Sequence, residues 1–523
     1  MDSTTIWRRF KHAQGVRDSG WWTHFYECYH YSIPQRETLF DYQKGQKKNT
    51  HLYDATATEG VHIFANRVQQ NVVPTGRHWC SLTAGVDIDP ETEVEVEGES
   101  QPVDAVLDDI TETVFSYIHR SNFDMRANEA CLDLAVSTGV LTCDYNPGTQ
   151  SLEFDAIPLA DVFLEGGASG QVEGIYRKHK IAGKDVLINW PDAELPNQVQ
   201  QKIDAQPLEK IEILESMLKD PVENNWHMTI QLDEKTPIYE EDYGEVSPWI
   251  PFRWSVVSGE VYGRGPLMTV LPDIKTLNVM GEYSLKAAAI STLGVWTATT
   301  DGAFNPYTFK IAPGIAIPVA SNDSRNPTLA PLQTNASANF AEYEYERRQK
   351  NVNRALFAHP IGSMDDPTKT ATEISIRRQM DLEEAGAAFG RLQVELAGGV
   401  IRRVVHLLKR EGIIPDITLD GRQVDIKYLN PIAQQADIDS ANLVLRAMQM
   451  AAGSGVPPEL AGQDVKIEDL PSFYLDKLGA PAELKRTKRE KADMQQQAQQ
   501  MAQAQQALDA GQQVADIAGK VDG

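Results

Sequence analysis

Pro248-Trp249-Ile250-Pro251-Phe252-Arg253, followed shortly by Gly259-Glu260-Val261-Tyr262-Gly263-Arg264-Gly265-Pro266, separates two halves of different character. The first run, extended through residue 257, reads as a strand of aromatic and β-branched residues. Gly263-Arg264-Gly265 opens a G-x-G pattern, but Met268 stands where a dinucleotide fingerprint needs its third glycine. The segment therefore reads as a tight turn, with Pro266 preset for the first turn of a helix.

Downstream, the spacing predicts a helix over 266–296. Its apolar stripe is Ile274, Leu277, Leu285, Ala288 and Val295, with Gly281 on the same face. Gly281 and the alanines at 287–289 would let a neighbouring helix approach closely. Residues 297–334 are rich in Pro, Gly, Asn and Thr, with strand-like pieces at 308–311 and 315–319. A second, charge-dense helix is predicted over 336–357. The insert between the helices has too few apolar residues for a core of its own. A loop over 358–369 leads to the longest predicted helix, 370–411. Its start carries Thr370, Thr372 and Glu373, which suit a helix N-terminus. Its stripe is Ala385, Phe389, Leu392, Leu396, Val400, Val404 and Leu407. At 1.5 Å per residue it would span roughly 60 Å. Gly412 and Pro415 end it, and 416–429 reads as a strand. From Pro431 the chain is helical again, with a basic patch at 485–491 and a Gln/Ala run at 494–513.

Upstream, 4–31 is an aromatic-rich helical segment stopped at Pro34. Residues 52–73 have helical spacing and end at Pro74-Thr75-Gly76. A strand follows at 79–83, then an acidic stretch over 86–100 that reads as a solvated loop. Helices are expected at 103–119 and 128–137. Strands are expected at 140–145, 152–163, 175–181, 210–217 and 226–232. This is a mixed α+β body rather than a βαβ array.

The 523 residues suffice for several domains. Lys and Arg total 49 against 74 Asp and Glu, a net charge of -25. Tight DNA binding over the whole surface is excluded by that balance, since phosphate neutralisation supplies most such affinity. An acidic wall is compatible with DNA that must slide. The four cysteines, Cys28, Cys80, Cys131 and Cys143, form no C-x-x-C pair and suit a reduced, cytoplasmic place of synthesis. No apolar run is long enough for a membrane span.

No catalytic pattern emerges, and no cofactor or metal site. Gly183-Lys184 is followed by Asp185, so there is no P-loop. There is no H-E-x-x-H and no G-x-S-x-G. The paired acids Asp87/Asp89, Asp365/Asp366 and Asp437/Asp439 read as loop and cap residues of an acidic chain.

Periodicity leaves two arrangements open for the helical half: a monomeric bundle, or identical copies covering one another in a closed ring. The quoted junction resembles that of the head-to-tail connector (portal) proteins of T7-like podophages, where a strand ending near I-P-x-R is followed by G-E-x-Y-G-R and a stem helix. Tyr31-Ser32-Ile33-Pro34 resembles the family's Y-x-I-P. The end of 61–79, N-V-V-P-T-G-R-H-W, resembles its L-F-P-x-x-x-W stretch. Ala371-Thr372-Glu373-Ile374 resembles its T-A-E-E-I segment. The likeness runs over about residues 5–510, except in 180–248 and the insert.

The resemblance implies a portal fold. Residues 1–265 and 370–430 would form the wing, 266–296 and 336–357 the stem, 297–335 the clip, and 358–369 the tunnel loop. Residues 431–523 would form a helical crown, with an extended barrel left open. It implies twelve-subunit rings at one capsid vertex of the virion, built with major capsid and scaffold proteins. Their partners would be a terminase and then a tail adaptor protein, and double-stranded DNA would pass through without sequence preference. Met364, Asp365, Asp366 and Lys369 would line the channel. Lys310 and Arg325 would lie in the clip, facing DNA or a docking partner. Ile274, Leu277, Gly281, Leu285 and Ala288 would pack the stem. The alternatives are another virion protein (an adaptor or internal core subunit), or a cytosolic α+β hydrolase with a carboxylate site.

Overall fold

The computed structural model describes residues 2–36, 39, 45–85, 93–96, 99–167, 170–293, 296–298, 329–331, 338–358, 385–415 and 424–429, with Leu443, Arg446 and Met450 singly. In chain order the elements begin with α1 (Ser3–Val16), a π turn (Arg17–Trp21) and α2 (Trp22–Ser32). Next are α3 (Thr56–Val72), β1 (Cys80–Ala84), β2 (Glu93–Val96) and β3 (Glu99–Pro102). Helices α4 (Val103–Arg120) and α5 (Phe123–Val136) precede β4 (Thr138–Asn146), β5 (Ser151–Ala156), β6 (Val162–Gly166) and β7 (Val172–Ala182). Then come α6 (Gly183–Asn189), α7 (Asn197–Ala205), β8 (Lys210–Lys219), β9 (Trp226–Asp233), β10 (Thr236–Asp242) and β11 (Trp249–Arg253). The second half holds α8 (Pro266–Leu293), β12 (Trp296–Ala298), β13 (Leu329–Pro331) and α9 (Ala338–Ala355). It continues with α10 (Gly386–Leu392), a π turn (Gln393–Ala397), α11 (Gly398–Arg410) and β14 (Val424–Tyr428).

The chain divides into two compact units, residues 1–77 with 114–416, and 78–113 with 417–523. The first is built on two antiparallel sheets. One has the order β10-β9-β8-β7-β6, the other β11-β4-β5. Helix α1 covers one face of the larger sheet because Ile6, Phe10 and Ala13 recur at helical spacing and meet Phe163, Tyr176, Leu214 and Leu218. Helix α5 buries one face deeply. Ala127, Ala130, Cys131, Leu134 and Ala135 are all 0% exposed, and small side chains allow strands and helices to close on several sides. In the second unit, β1 and β14 pair antiparallel, Cys80 opposite Tyr428 and Ala84 opposite Val424. The Leu82 amide donates to Thr111 Oγ1 at 3.0 Å, tying β1 to the first half of α4.

Several expectations are corrected. The acidic stretch over 86–100 is not all loop. Glu93-Val94-Glu95-Val96 alternates with period two and pairs with β3, so the strand period prevails over the charge. The strand expected over 152–163 is two strands, broken at Pro158 by a short 3₁₀ turn, Leu159–Asp161. The strand through 257 ends at Arg253. The helix expected over 266–296 ends at Leu293, and Trp296 instead begins β12, which pairs with β13 across the insert. Helices α6 and α7 and strand β10 were not anticipated. Over its described residues the stripe of the longest predicted helix is buried within this chain, from Phe389 at 4% to Leu407 at 0% exposed, while residues 370–384 of that helix lie outside the described residues. The pieces at 308–311 and 315–319, and the helical reading from 431 onward apart from the three single residues, lie outside the described residues.

Candidate functional site

The junction quoted at the outset is held by buried polar anchors. Arg253 ends β11 and is 6% exposed. Its Nη2 donates to Glu395 Oε1 at 2.8 Å, and its backbone amide donates to Glu395 Oε2, also at 2.8 Å. Nη1 donates to the carbonyls of Val261 at 3.1 Å and Gly170 at 3.3 Å. A buried guanidinium is tolerated because its charge is matched and its donors are used. Glu395 lies in the π turn between α10 and α11, so one side chain ties the body strand, the approach to α8 and the long helix together.

The next residues thread the chain into α8. Gly259 has φ +87°, a left-handed conformation that a glycine adopts without strain. Glu260 and Arg264 form a bidentate pair at 2.7 and 2.6 Å. Tyr262 is fully buried between Trp21 and Phe25, each ring 5.5 Å away, and its hydroxyl accepts from the Leu164 amide at 3.0 Å. The Gly263 amide donates to Thr138 Oγ1 and its carbonyl accepts from Ser137 Oγ. A Cβ on Gly263 would sit 2.7 Å from the Ser137 carbonyl oxygen, and one on Gly265 would fall onto the Ala135 carbonyl. The glycines are there because the chain passes flush against the end of α5.

Helices α8 and α9 form an antiparallel hairpin. Arg348 Nη1 donates to Asp273 Oδ1 and Asn351 Nδ2 to Asp273 Oδ2. The root of the hairpin sits in a socket made by residues 51–56. Asn278 Nδ2 donates to the His51 carbonyl at 3.0 Å, and the Tyr53 amide donates to Asn278 Oδ1 at 2.7 Å. On the other helix, the Tyr345 hydroxyl donates to Asp54 Oδ2, and Gln349 Nε2 donates to Thr56 Oγ1 at 3.1 Å. Burial and the Asp54 carboxylate push the Tyr345 phenol up. Ile274, Leu277 and Gly281 are buried within the chain, and a Cβ on Gly281 would lie 3.1 Å from the Tyr53 carbonyl. Beyond Gly281 the helix emerges. Tyr283 is 64% and Leu285 59% exposed, and Ala288 lies on the same exposed half. The five residues predicted to pack the stem thus divide into three that anchor its root and two on the projecting part. Met364, Asp365, Asp366 and Lys369, with Lys310 and Arg325, lie outside the described residues.

Two further anchors escaped the sequence reading. Arg403 is 0% exposed, donating to the carbonyls of Cys143 at 3.0 Å and Val246 at 3.1 Å and pairing with Asp144 at 2.8 Å. It shares the helical stripe of Val400 and Leu407, and that phase was the available signal. Arg36 clamps Asp133 through Nε and Nη2, each at 2.7 Å, and Tyr29 donates to the same carboxylate at 2.6 Å. Burial and Asp133 push the Tyr29 phenol well up. Glu395 and Asn278 carried no local signal, since their roles depend on partners 142 and 225 positions away. Among the described residues, no group of three or more His, Cys, Asp or Glu side chains is placed to hold a metal ion, and no helix is long and apolar enough to cross a membrane.

The chain is 21% identical to a probable portal protein of Bordetella phage BPP-1, over 95% of this chain and 92% of the relative. It is 20% identical to the portal protein of Enterobacteria phage T3 and 20% identical to that of Escherichia phage T7, in each case over 86% of this chain and 83% of the relative. A family model described as bacteriophage head to tail connecting protein matches residues 3–485, and the chain belongs to that family.

Proposed function

We propose that this chain is a portal subunit. Identical copies, twelve in number, close into a ring at one vertex of the capsid. Double-stranded DNA passes through the ring during packaging and again during ejection, while a terminase and then a tail adaptor dock on its outer end. In this reading α8 and α9 are the stem, and the segment between them that includes β12 and β13 is the clip. Residues 358–369 form the tunnel loop, and the two-sheet body is the wing.

The observation that carries the proposal is the change of environment along α8. Its first half is buried by its own chain, but its second half projects with Tyr283 and Leu285 more than half exposed, and Tyr343 on α9 is likewise 64% exposed. Aromatic and leucine side chains left exposed on a projecting hairpin are available as an interaction surface, and a closed ring of identical copies would cover them at every position. The net charge of -25 suits a wall along which DNA slides.

Negative-stain microscopy of the purified full-length protein tests this. Annular particles with an axial hole are expected, and Leu285→Asp should shift the protein toward single chains while leaving the body folded. A single-chain mass by native mass spectrometry, without annuli at any concentration, would refute the proposal and favour an adaptor or internal virion protein.

A further inference from the structure

The socket at the root of α8 contains two imidazoles stacked face to face. His30, near the end of α2, and His51, at the start of the 51–56 segment, have ring centroids 3.6 Å apart and planes inclined by 7°. His51 Nε2 lies 2.7 Å from the His30 carbonyl oxygen, so in the neutral ring that nitrogen carries the proton. The next contacts outward from His51 belong to the stem, because its own carbonyl and the Tyr53 amide are the two partners of Asn278 on α8.

We infer that the His30–His51 stack is a pH-sensitive clasp on the root of the stem helix. Two neutral rings stack at this distance; two imidazolium rings repel across it. The surrounding groups do little to offset a second positive charge. From α2 come Tyr26 and Tyr31, whose rings lie 5.2 and 5.0 Å from His30, and Glu27. From α8 comes Lys275, a further cation, and it already pairs with Glu27 at 2.5 Å. Burial and the neighbouring His51 push the His30 imidazole below its ordinary value, with Glu27 pulling the other way. The clasp is therefore shut near neutrality. Acid drives the rings apart and takes the Asn278 bonds with them. This inference concerns one chain and stands whether or not the ring forms.

Hydrogen exchange on the full-length protein tests it, with rates corrected for the intrinsic effect of pH and α5 as internal reference. Between about pH 7.5 and about pH 5, protection over 49–56 and 274–281 should fall by about tenfold relative to α5. His30→Phe keeps an aromatic stack with a single imidazole, and should hold protection within about twofold. His51→Gln keeps a donor for the His30 carbonyl without acquiring charge, and should behave in the same way if the phenylalanine variant does not fold. Wild-type protection that is indifferent to pH, or an equal acid loss in the folded variants, would overturn the inference.

Discussion

Arg253 and Glu395 meet from positions 142 residues apart, Nη2 at 2.8 Å from Oε1, and fix the end of β11 against the π turn that precedes α11. The pair is nearly dry, with 8% and 19% of the two side chains exposed. Removing one partner leaves the other buried and uncompensated. Glu395→Gln should lower stability by roughly 3 kcal/mol. Arg253→Lys should not be conservative, because a single ammonium cannot reach the carboxylate and two carbonyls in the geometry of the guanidinium fork. Urea unfolding midpoints of the purified protein check both, and an unchanged midpoint for Glu395→Gln would contradict the anchoring role.

Two glycines should respond in opposite ways. Gly265→Ala drives a methyl group into the Ala135 carbonyl, which is backbone and cannot turn aside. A loss of about 3 kcal/mol or failure to accumulate as soluble protein is expected. Gly390 lies inside α10 with nothing within 4 Å of its absent Cβ. Gly390→Ala should raise stability by about 1 kcal/mol. Melting temperatures measured in parallel decide both.

Glu215 gives stability a pH dependence. Its carboxyl is buried in the larger sheet, with Arg177 Nη1 at 3.8 Å and His179 Nδ1 at 3.3 Å. Burial pushes it from 4.5 up to about 7, with Arg177 acting in the opposite direction. The folded chain thus holds this proton more tightly than the unfolded one. The associated stability is fully present below pH 4.5 and is lost as pH rises through about 7. Glu215→Gln mimics the protonated form. It should match wild type near pH 4.5 and exceed it above about pH 8 by roughly 3 kcal/mol. His179 runs the other way. Burial and Arg177 push it from 6.5 down to about 3, so its contribution is lost as pH falls between those values. Urea midpoints from about pH 4 to about pH 9 should show the gain in the Gln variant only on the alkaline side.

Tyr345→Phe deletes only the hydroxyl that reaches Asp54. Docking of α9 should weaken by about 1–2 kcal/mol, seen as faster hydrogen exchange over 342–356 with no change in α5. Equal exchange in both proteins would mean that Gln349, Val352 and Leu356 hold the helix without it.

Lys369→Glu tests the tunnel loop within the portal proposal. Under that proposal, one lysine per subunit, repeated around a ring, would make a weak phosphate contact at the narrowest point. The variant should package DNA but retain it poorly, giving shortened or leaking genomes on pulsed-field gels. Wild-type genome length and retention would remove Lys369 from the channel.

How much of this was legible in the sequence depended on the range of each interaction. Helix α3 and the apolar stripe from Ala385 to Leu407 follow a local period and were readable within a few residues. So was the turn at 263–265, because glycine and proline act on their own backbone. Strand ends were less so. That Trp296 pairs with Pro331 rather than extending α8 depends on a partner strand brought alongside from across the insert. The acidic 86–100 stretch misled because composition spoke of solvent while the Glu-Val alternation spoke of a strand. The anchors were least accessible. Arg253 was visible as the last residue of a motif, but Glu395, Asn278 and Asp54 acquire their roles only when distant segments are brought alongside.

The six residues from His51 to Thr56 bond to Asn278 on one helix and to Tyr345 and Gln349 on the other. That yokes α8 and α9 at a common pivot. A sideways load on either helix must reach the same short stretch of backbone, and from there the first turn of α3. Both rods are thereby fastened to one place, which opposes their sliding past each other.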